Sequence, residues 1–143
     1  MSSNGRPRRF RDATSVTLHG STGDGRTLVA AERFTTRLLG LAGLERAPGH
    51  GLLIPHCACV HTFGMRFPID VVFVTWPPRS RVSTVLAVRR SVRRARLVRW
   101  RGHRAAGNRV ATLEVAAGDA TALGVLPGAK VVIEPGERST GGA

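Results

Sequence analysis

The sequence predicts a mainly β (α+β) domain, a small barrel or sandwich of about seven short strands with one or two short helices. A chain of 143 residues has the usual length of a single domain. Hydrophobic residues make up 42% of it, which is enough for a core and argues against global disorder. Its apolar runs are short, rich in valine and separated by glycine and proline, as is typical of successive strands.

The first elements are predicted to be a hairpin followed by a helix. Residues 16–19 alternate apolar and polar side chains, residues 20–25 (GSTGDG) have turn composition, and residues 27–31 form the return strand. In the segment 32–41, Phe34, Leu38 and Leu41 recur at helical spacing. One short helix is therefore expected there.

The remainder of the chain predicts further strands and one helical turn. The helical turn is expected over 119–123, and the strands over 51–54, 57–62, 69–76, 82–88, 111–116 and 130–134. Residues 89–108 are too rich in arginine for a strand buried on both faces and predict an exposed ribbon or loop. The folded domain is thus expected to span 14–134, between a disordered basic tail (1–13) and a flexible tail (135–143).

The positive charge is concentrated in two stretches. The formal net charge is +13, from 22 basic and 9 acidic residues. Residues 1–11 contain four arginines and residues 79–104 contain ten, and neither stretch contains an acidic residue. The rest of the chain, with 8 basic and 9 acidic residues, is close to neutral.

This clustering predicts binding to a polyanion, with nucleic acid considered first and an anionic membrane surface second. Arginine forks onto phosphate and stacks on bases, and Trp100 offers a stacking surface within the second stretch. The alternative is a solvated face in a protein that favours arginine over lysine. The candidate nucleic-acid residues are Arg89, Arg90, Arg93, Arg94, Arg96, Arg99, Arg101 and Arg104.

A cluster of potential metal ligands lies at residues 56–62 (HCACVHT). In an extended strand, Cys57, Cys59 and His61 would share one face, and two thiolates with an imidazole suit zinc or copper. The one-residue spacing between the cysteines is shorter than structural zinc sites use. Core packing and a redox or nucleophilic thiol remain as alternatives.

Two carboxylates lie within apolar strands and require an explanation. Asp70 and Glu114 each stand between aliphatic residues, where an unpaired charge is costly. Structurally, they would anchor loops through backbone N–H groups or an ion pair with Arg37. Functionally, they would be a paired acid and base or would line a polar pocket. We expect such a pocket near Arg37, His61, Asp70 and Glu114, binding an unknown small ligand or protein segment.

The sequence disfavours several classes of protein. The sequence has no apolar run long enough to cross a bilayer, no secretory signal, and too few cysteines for a disulfide scaffold, so a cytoplasmic setting is expected. It has no Walker lysine, dinucleotide fingerprint, HExxH or GxSxG motif. No cofactor is therefore predicted, and a non-catalytic role is favoured over an enzyme.

Several segments together resemble one family. They are residues 37–44 (RLLGLAGL), 51–54 (GLLI), 60–73 (VHTFGMRFPIDVVF), 113–118 (LEVAAG) and 123–128 (LGVLPG). In this order they are similar to the bacterial and archaeal family called domain of unknown function 192, over roughly residues 27–133.

The resemblance implies a compact, mainly β domain and no established activity. Arg37, Asp70 and Glu114 fall on motif positions, which favours one shared polar constellation. Many members carry a Trp-Met-Lys-Asn-Thr segment where this chain has residues 61–65 (HTFGM), so no role of that lysine or asparagine transfers. Three hypotheses follow: a non-catalytic binding or accessory domain, an arginine-driven nucleic-acid binder, and a thiol or metal enzyme using Cys57, Cys59 and His61.

Overall fold

A computed structural model describes residues 14–31, 51–102 and 109–138 of the chain. In these ranges there are nine strands and one short helix. They are β1 (Thr14–His19), β2 (Gly25–Ala30), β3 (Gly51–Ile54), β4 (Cys59–His61), β5 (Ile69–Thr75), β6 (Val82–Val92), β7 (Leu97–Arg99), β8 (Val110–Ala116), α1 (Asp119–Ala122) and β9 (Lys130–Arg138).

Seven of the strands close into a barrel in the order β1–β2–β3–β8–β5–β6–β9. The pair β2–β3 is parallel and the other pairs are antiparallel. The barrel interior is filled by alternate aliphatic side chains, among them Leu18, Leu53, Val72 and Leu113. This is the alternation that a strand buried on one face requires.

A second apolar cluster covers the outside of β3, β5 and β8. The side chains between those of the interior, such as Leu52, Val71 and Phe73, are also fully buried. A separate two-stranded sheet formed by β4 and β7 packs on them through Val60 and Val98. The central strands are therefore apolar on both faces, which explains their uninterrupted hydrophobic runs.

The fold class is confirmed, and the strands β6 and β9 are longer than predicted. β6 continues four residues beyond Val88, because its last residues pair with the start of β5 even though they include arginines. β9 continues through residues 135–138, four residues beyond its predicted end. Pro135 pairs with Val16, and the register with β1 shifts between this pair and the pair of Thr14 with Arg138.

The predicted helix over 32–41 and the basic tail over 1–13 lie outside the described residues, as do residues 139–143. The helical turn after β8 is confirmed as α1. Among the described residues, no helix is long and apolar enough to cross a membrane.

Candidate nucleic-acid interface

The main candidate surface is the arginine ribbon, defined here as residues 89–101. It comprises the end of β6, the loop 93–96, the strand β7 and the residues that follow it. All seven of its arginines are exposed: Arg89, Arg90, Arg93, Arg94, Arg96, Arg99 and Arg101. Within residues 14–31, 51–102 and 109–136, none of their side chains makes an ion pair. The eighth predicted residue, Arg104, lies outside the described residues.

Thr62 holds the loop 93–96 of the ribbon against the chain that follows β4. This residue is fully buried directly after β4, and its hydroxyl donates to the carbonyl oxygen of Arg93 at 2.6 Å. Oγ1 of Thr62 also accepts a hydrogen bond from the backbone N–H of Arg96 at 2.8 Å. The backbone N–H of Thr62 donates to the carbonyl oxygen of Arg96 at 2.8 Å. One threonine thus fixes both ends of the loop, although all four loop side chains are exposed.

Asp70 provides a second attachment. Its Oδ1 accepts the backbone N–H of Ser91 at 2.9 Å, where β6 has a positive φ of 49°. Its Oδ2 accepts the N–H groups of Gly118 and Ala120, at 3.0 and 3.1 Å, at the start of α1. The buried carboxylate therefore joins the ribbon to the α1 turn, and these three bonds offset the cost of burying its charge.

The outward face of the β4–β7 sheet presents rings and apolar groups among the arginines. His61 pairs with Leu97 across the two strands, and Cys59 pairs with Arg99. The rings of His61 and Phe63 lie 5.7 Å apart at a tilt of 41°. Phe63 and Leu97 are 55% and 61% exposed, which is unusual for side chains of this size.

A groove of about 630 Å³ runs beside the ribbon, just before β5. Its apolar wall is formed by Met65, Phe67 and Pro68, and Arg93 and Arg94 line the opposite side. A groove with cationic and apolar sides suits a ligand that carries both flat rings and negative charge.

The structure does not bring the predicted polar pocket together. Asp70 pairs with Val115 and lies on the interior face of the barrel, whereas Glu114 pairs with Val71 and lies on the exterior face. His61 is exposed on the β4–β7 sheet, beyond the outer cluster. Arg37 lies outside the described residues.

Glu114 occupies an apolar environment between Leu52 of β3 and Val71 of β5. It is 3% exposed, and its Oε2 has no hydrogen-bond partner in the described part of the chain. Burial raises the pKa of this carboxyl to about 7. At pH values below about 7, this carboxyl is therefore mostly protonated and neutral.

The three candidate metal ligands also separate. Cys57 lies before β4, half-buried, and its thiol donates to the carbonyl oxygen of Cys59 at 3.1 Å. The side chains of Cys59 and His61 are exposed on the outward face of β4. Among the described residues, no three His, Cys, Asp or Glu side chains converge on a position that would hold a metal ion.

Sequence reasoning missed three residues of this surface, namely Thr62, Phe63 and Leu97. Thr62 carries no local signal, because its partners in the loop lie more than thirty positions along the chain. Phe63 and Leu97 look like core residues by composition. A signal was available for Leu97, since an aliphatic residue surrounded by arginines is a poor candidate for a buried strand.

The fold places the chain among small, mainly β barrel domains. The chain belongs to the family called domain of unknown function 192, described as an uncharacterized ACR, whose model matches residues 16–133. None of the curated proteins matches the chain.

Two crystal structures are similar to it. A protein from Sinorhizobium meliloti 1021, described as a candidate transcription regulator, matches with 20% identity and a TM-score of 0.65, over 92% of this chain and 98% of that one. A protein of unknown function from Novosphingobium aromaticivorans DSM 12444 matches with 20% identity and a TM-score of 0.61, over 90% and 99%. At this identity the likeness shows the fold alone.

Proposed function

We propose that this protein is a non-catalytic binding domain that holds single-stranded nucleic acid on its arginine ribbon. The observation that carries the proposal is that seven exposed arginines, none paired with an acid among the described side chains, lie along the ribbon, whose strand β7 pairs with β4 beside the exposed rings of His61 and Phe63. Arginines contact phosphates and exposed rings stack on bases, a combination typical of single-strand binding.

Single strands are favoured over duplex DNA by the shape of the surface. The described residues place no helix on the ribbon that would enter a major groove, and the ribbon carries its own apolar groups. Unpaired bases expose flat faces to Phe63 and to the groove beside Arg93 and Arg94. We expect the bound strand to be cytoplasmic nucleic acid.

The description of the Sinorhizobium protein as a candidate transcription regulator agrees with a nucleic-acid role. The agreement adds no detail about sequence preference. The polar-pocket function receives less support, because Asp70 is occupied by three backbone N–H groups and Glu114 lies on the opposite face of the sheet.

The test is fluorescence anisotropy with short single- and double-stranded oligonucleotides across a salt series. The test variant carries Arg→Gln at Arg93, Arg94, Arg96 and Arg99. The matched control carries Arg→Gln at Arg6, Arg8, Arg9 and Arg11, so both variants lose four charges. Each phosphate contact contributes about −0.7 to the log–log salt slope on single strands, so the ribbon variant should flatten the slope by up to about 3.

Three outcomes would contradict the proposal. One is weak binding even at low salt. Another is an equal loss in both variants, which would indicate a response to net charge alone. The third is binding to vesicles of anionic phospholipid without binding to oligonucleotides, which would assign the ribbon to a membrane surface.

A further inference from the structure

A second groove lies at the opposite end of β5 from the ribbon groove, where the chain leaves β5 and enters β6. It has a volume of about 690 Å³, within the usual range of small-ligand sites. We call it the Trp76 groove, and the lining residues that matter here are Thr75, Trp76, Arg79, Thr84, Arg109 and Lys130.

Three cations from separate parts of the chain meet in this groove. Arg79 precedes β6, Arg109 precedes β8 and Lys130 begins β9, so only the folded barrel brings them together. All three are exposed, and none of the described residues that line the groove is acidic. A groove with this charge attracts an anion carrying more than one negative charge.

The groove is braced by hydrogen bonds at its base. The backbone N–H of Thr84 donates to Oγ1 of Thr75 at 2.9 Å, and Nζ of Lys130 donates to Oγ1 of Thr84 at 2.6 Å. The backbone N–H of Trp76 donates to the carbonyl oxygen of Arg109 at 2.7 Å. These contacts hold the Lys130 ammonium and the Arg109 backbone in place before any ligand arrives.

Trp76 supplies the aromatic part of the site. It is half-buried and packs against the interior cluster, and the ring of His56 meets it edge-on at a centroid distance of 6.4 Å. An indole held on one side and partly accessible on the other offers a stacking face for a planar ring.

We infer that the Trp76 groove binds a nucleoside phosphate, with the base on Trp76 and the phosphates between Arg79, Arg109 and Lys130. Arginine forks and a lysine ammonium are the groups that proteins use for phosphate. The same chemistry is found in a free nucleotide and in one nucleotide of a strand. The inference does not rest on the ribbon, since the two surfaces share no residue.

The experiment uses the two tryptophans of the chain. A full-length Trp100→Phe protein retains Trp76 as its single tryptophan, so its fluorescence reports on this groove. It is titrated with ATP, ADP, AMP, adenosine, inorganic triphosphate and a single-stranded oligonucleotide. Two further variants in this background carry R79Q with R109Q, or R93Q with R94Q as the matched control from the ribbon groove.

We expect saturable quenching that strengthens from AMP to ATP and is absent with adenosine. The R79Q and R109Q pair should weaken it about tenfold or more, since loss of two charge-assisted contacts exceeds the 1.4 kcal/mol of a tenfold change. The R93Q and R94Q pair should leave the quenching by ATP, ADP and AMP unchanged. Quenching by the oligonucleotide alone, with the same dependence on Arg79 and Arg109, would support the site and identify its ligand as a nucleotide within a strand.

The inference is overturned by quenching that does not saturate, by equal affinity for inorganic triphosphate and ATP, or by insensitivity to R79Q and R109Q. The proposals for the ribbon and for the Trp76 groove are tested independently, so one can fail while the other holds. Loss of oligonucleotide anisotropy in the ribbon variant addresses the ribbon, whereas quenching of Trp76 by mononucleotides addresses this groove.

Discussion

The burial of Glu114 makes the stability of the fold depend on pH. Its pKa rises from 4.5 in the unfolded chain to about 7 in the fold, because burial disfavours the charged form. Below pH 4.5 both states are protonated and the group costs nothing. Between pH 4.5 and 7 only the unfolded state ionises, so the free energy of unfolding falls as pH rises, by about 3 kcal/mol in total.

Glu114→Gln should remove this dependence, since the amide is uncharged and of similar shape. Urea unfolding of both proteins across pH 4–8 measures it, and the difference between the two profiles isolates Glu114 from other titrating groups. Parallel profiles would contradict the raised pKa. If the free energy of unfolding of the wild-type protein instead rose with pH relative to that of Glu114→Gln, Glu114 would be ionised in the fold, as an ion pair with Arg37 requires.

Asp70 is expected to be a structural anchor. Asp70→Asn replaces one of two accepting oxygens with an N–H₂ group that faces backbone donors at Ser91 or at Gly118 and Ala120. The free energy of unfolding should fall by about 2–4 kcal/mol. Chemical denaturation tests this, with Asp24→Asn in the exposed β1–β2 turn as the control. Unchanged stability combined with lost ligand binding would return Asp70 to a binding role.

Among the elements, the loop 93–96 is held by the hydroxyl of Thr62 and by two backbone hydrogen bonds, from Thr62 N–H to the carbonyl of Arg96 and from Ala95 N–H to the carbonyl of Thr62. Thr62→Val keeps the shape of the side chain but removes the acceptor for Arg96 N–H and the donor to Arg93 carbonyl. We expect a loss of about 1–3 kcal/mol, faster amide exchange of Arg96 and weaker oligonucleotide binding. Amide hydrogen exchange and anisotropy measure the two effects.

Thr27→Val is the control for that substitution, because Thr27 is exposed on β2 and valine also favours a strand. It should leave exchange and binding unchanged. Slow exchange of Arg96 in the Thr62→Val protein would show that the loop is held by other contacts.

For the whole molecule, the concentrated charge should make stability depend on salt. The ribbon arginines are exposed and repel one another, so screening them favours the fold. The Tm of the wild-type protein should rise with sodium chloride, and the variant with glutamine at Arg93, Arg94, Arg96 and Arg99 should have an equal or higher Tm with a weaker salt dependence. Thermal denaturation at low and high salt checks this, and a large drop in Tm would show that these arginines hold the fold.

The sequence by itself determined the fold class, the family and most strand positions. Short valine-rich runs and the turn at residues 20–25 are local signals, and β-strands depend on them directly. The concentration of arginines at residues 79–104 was likewise readable without a structure.

Only the tertiary structure decided how the candidate residues are related. Asp70 and Glu114 look equivalent in sequence, yet β5 and β8 pair so that one points into the barrel and the other away from it. Thr62 and the three cations of the Trp76 groove gain their roles from partners distant along the chain. Strand register sets which side chains share a face, and register is fixed by long-range packing, whereas composition and spacing carry only local information.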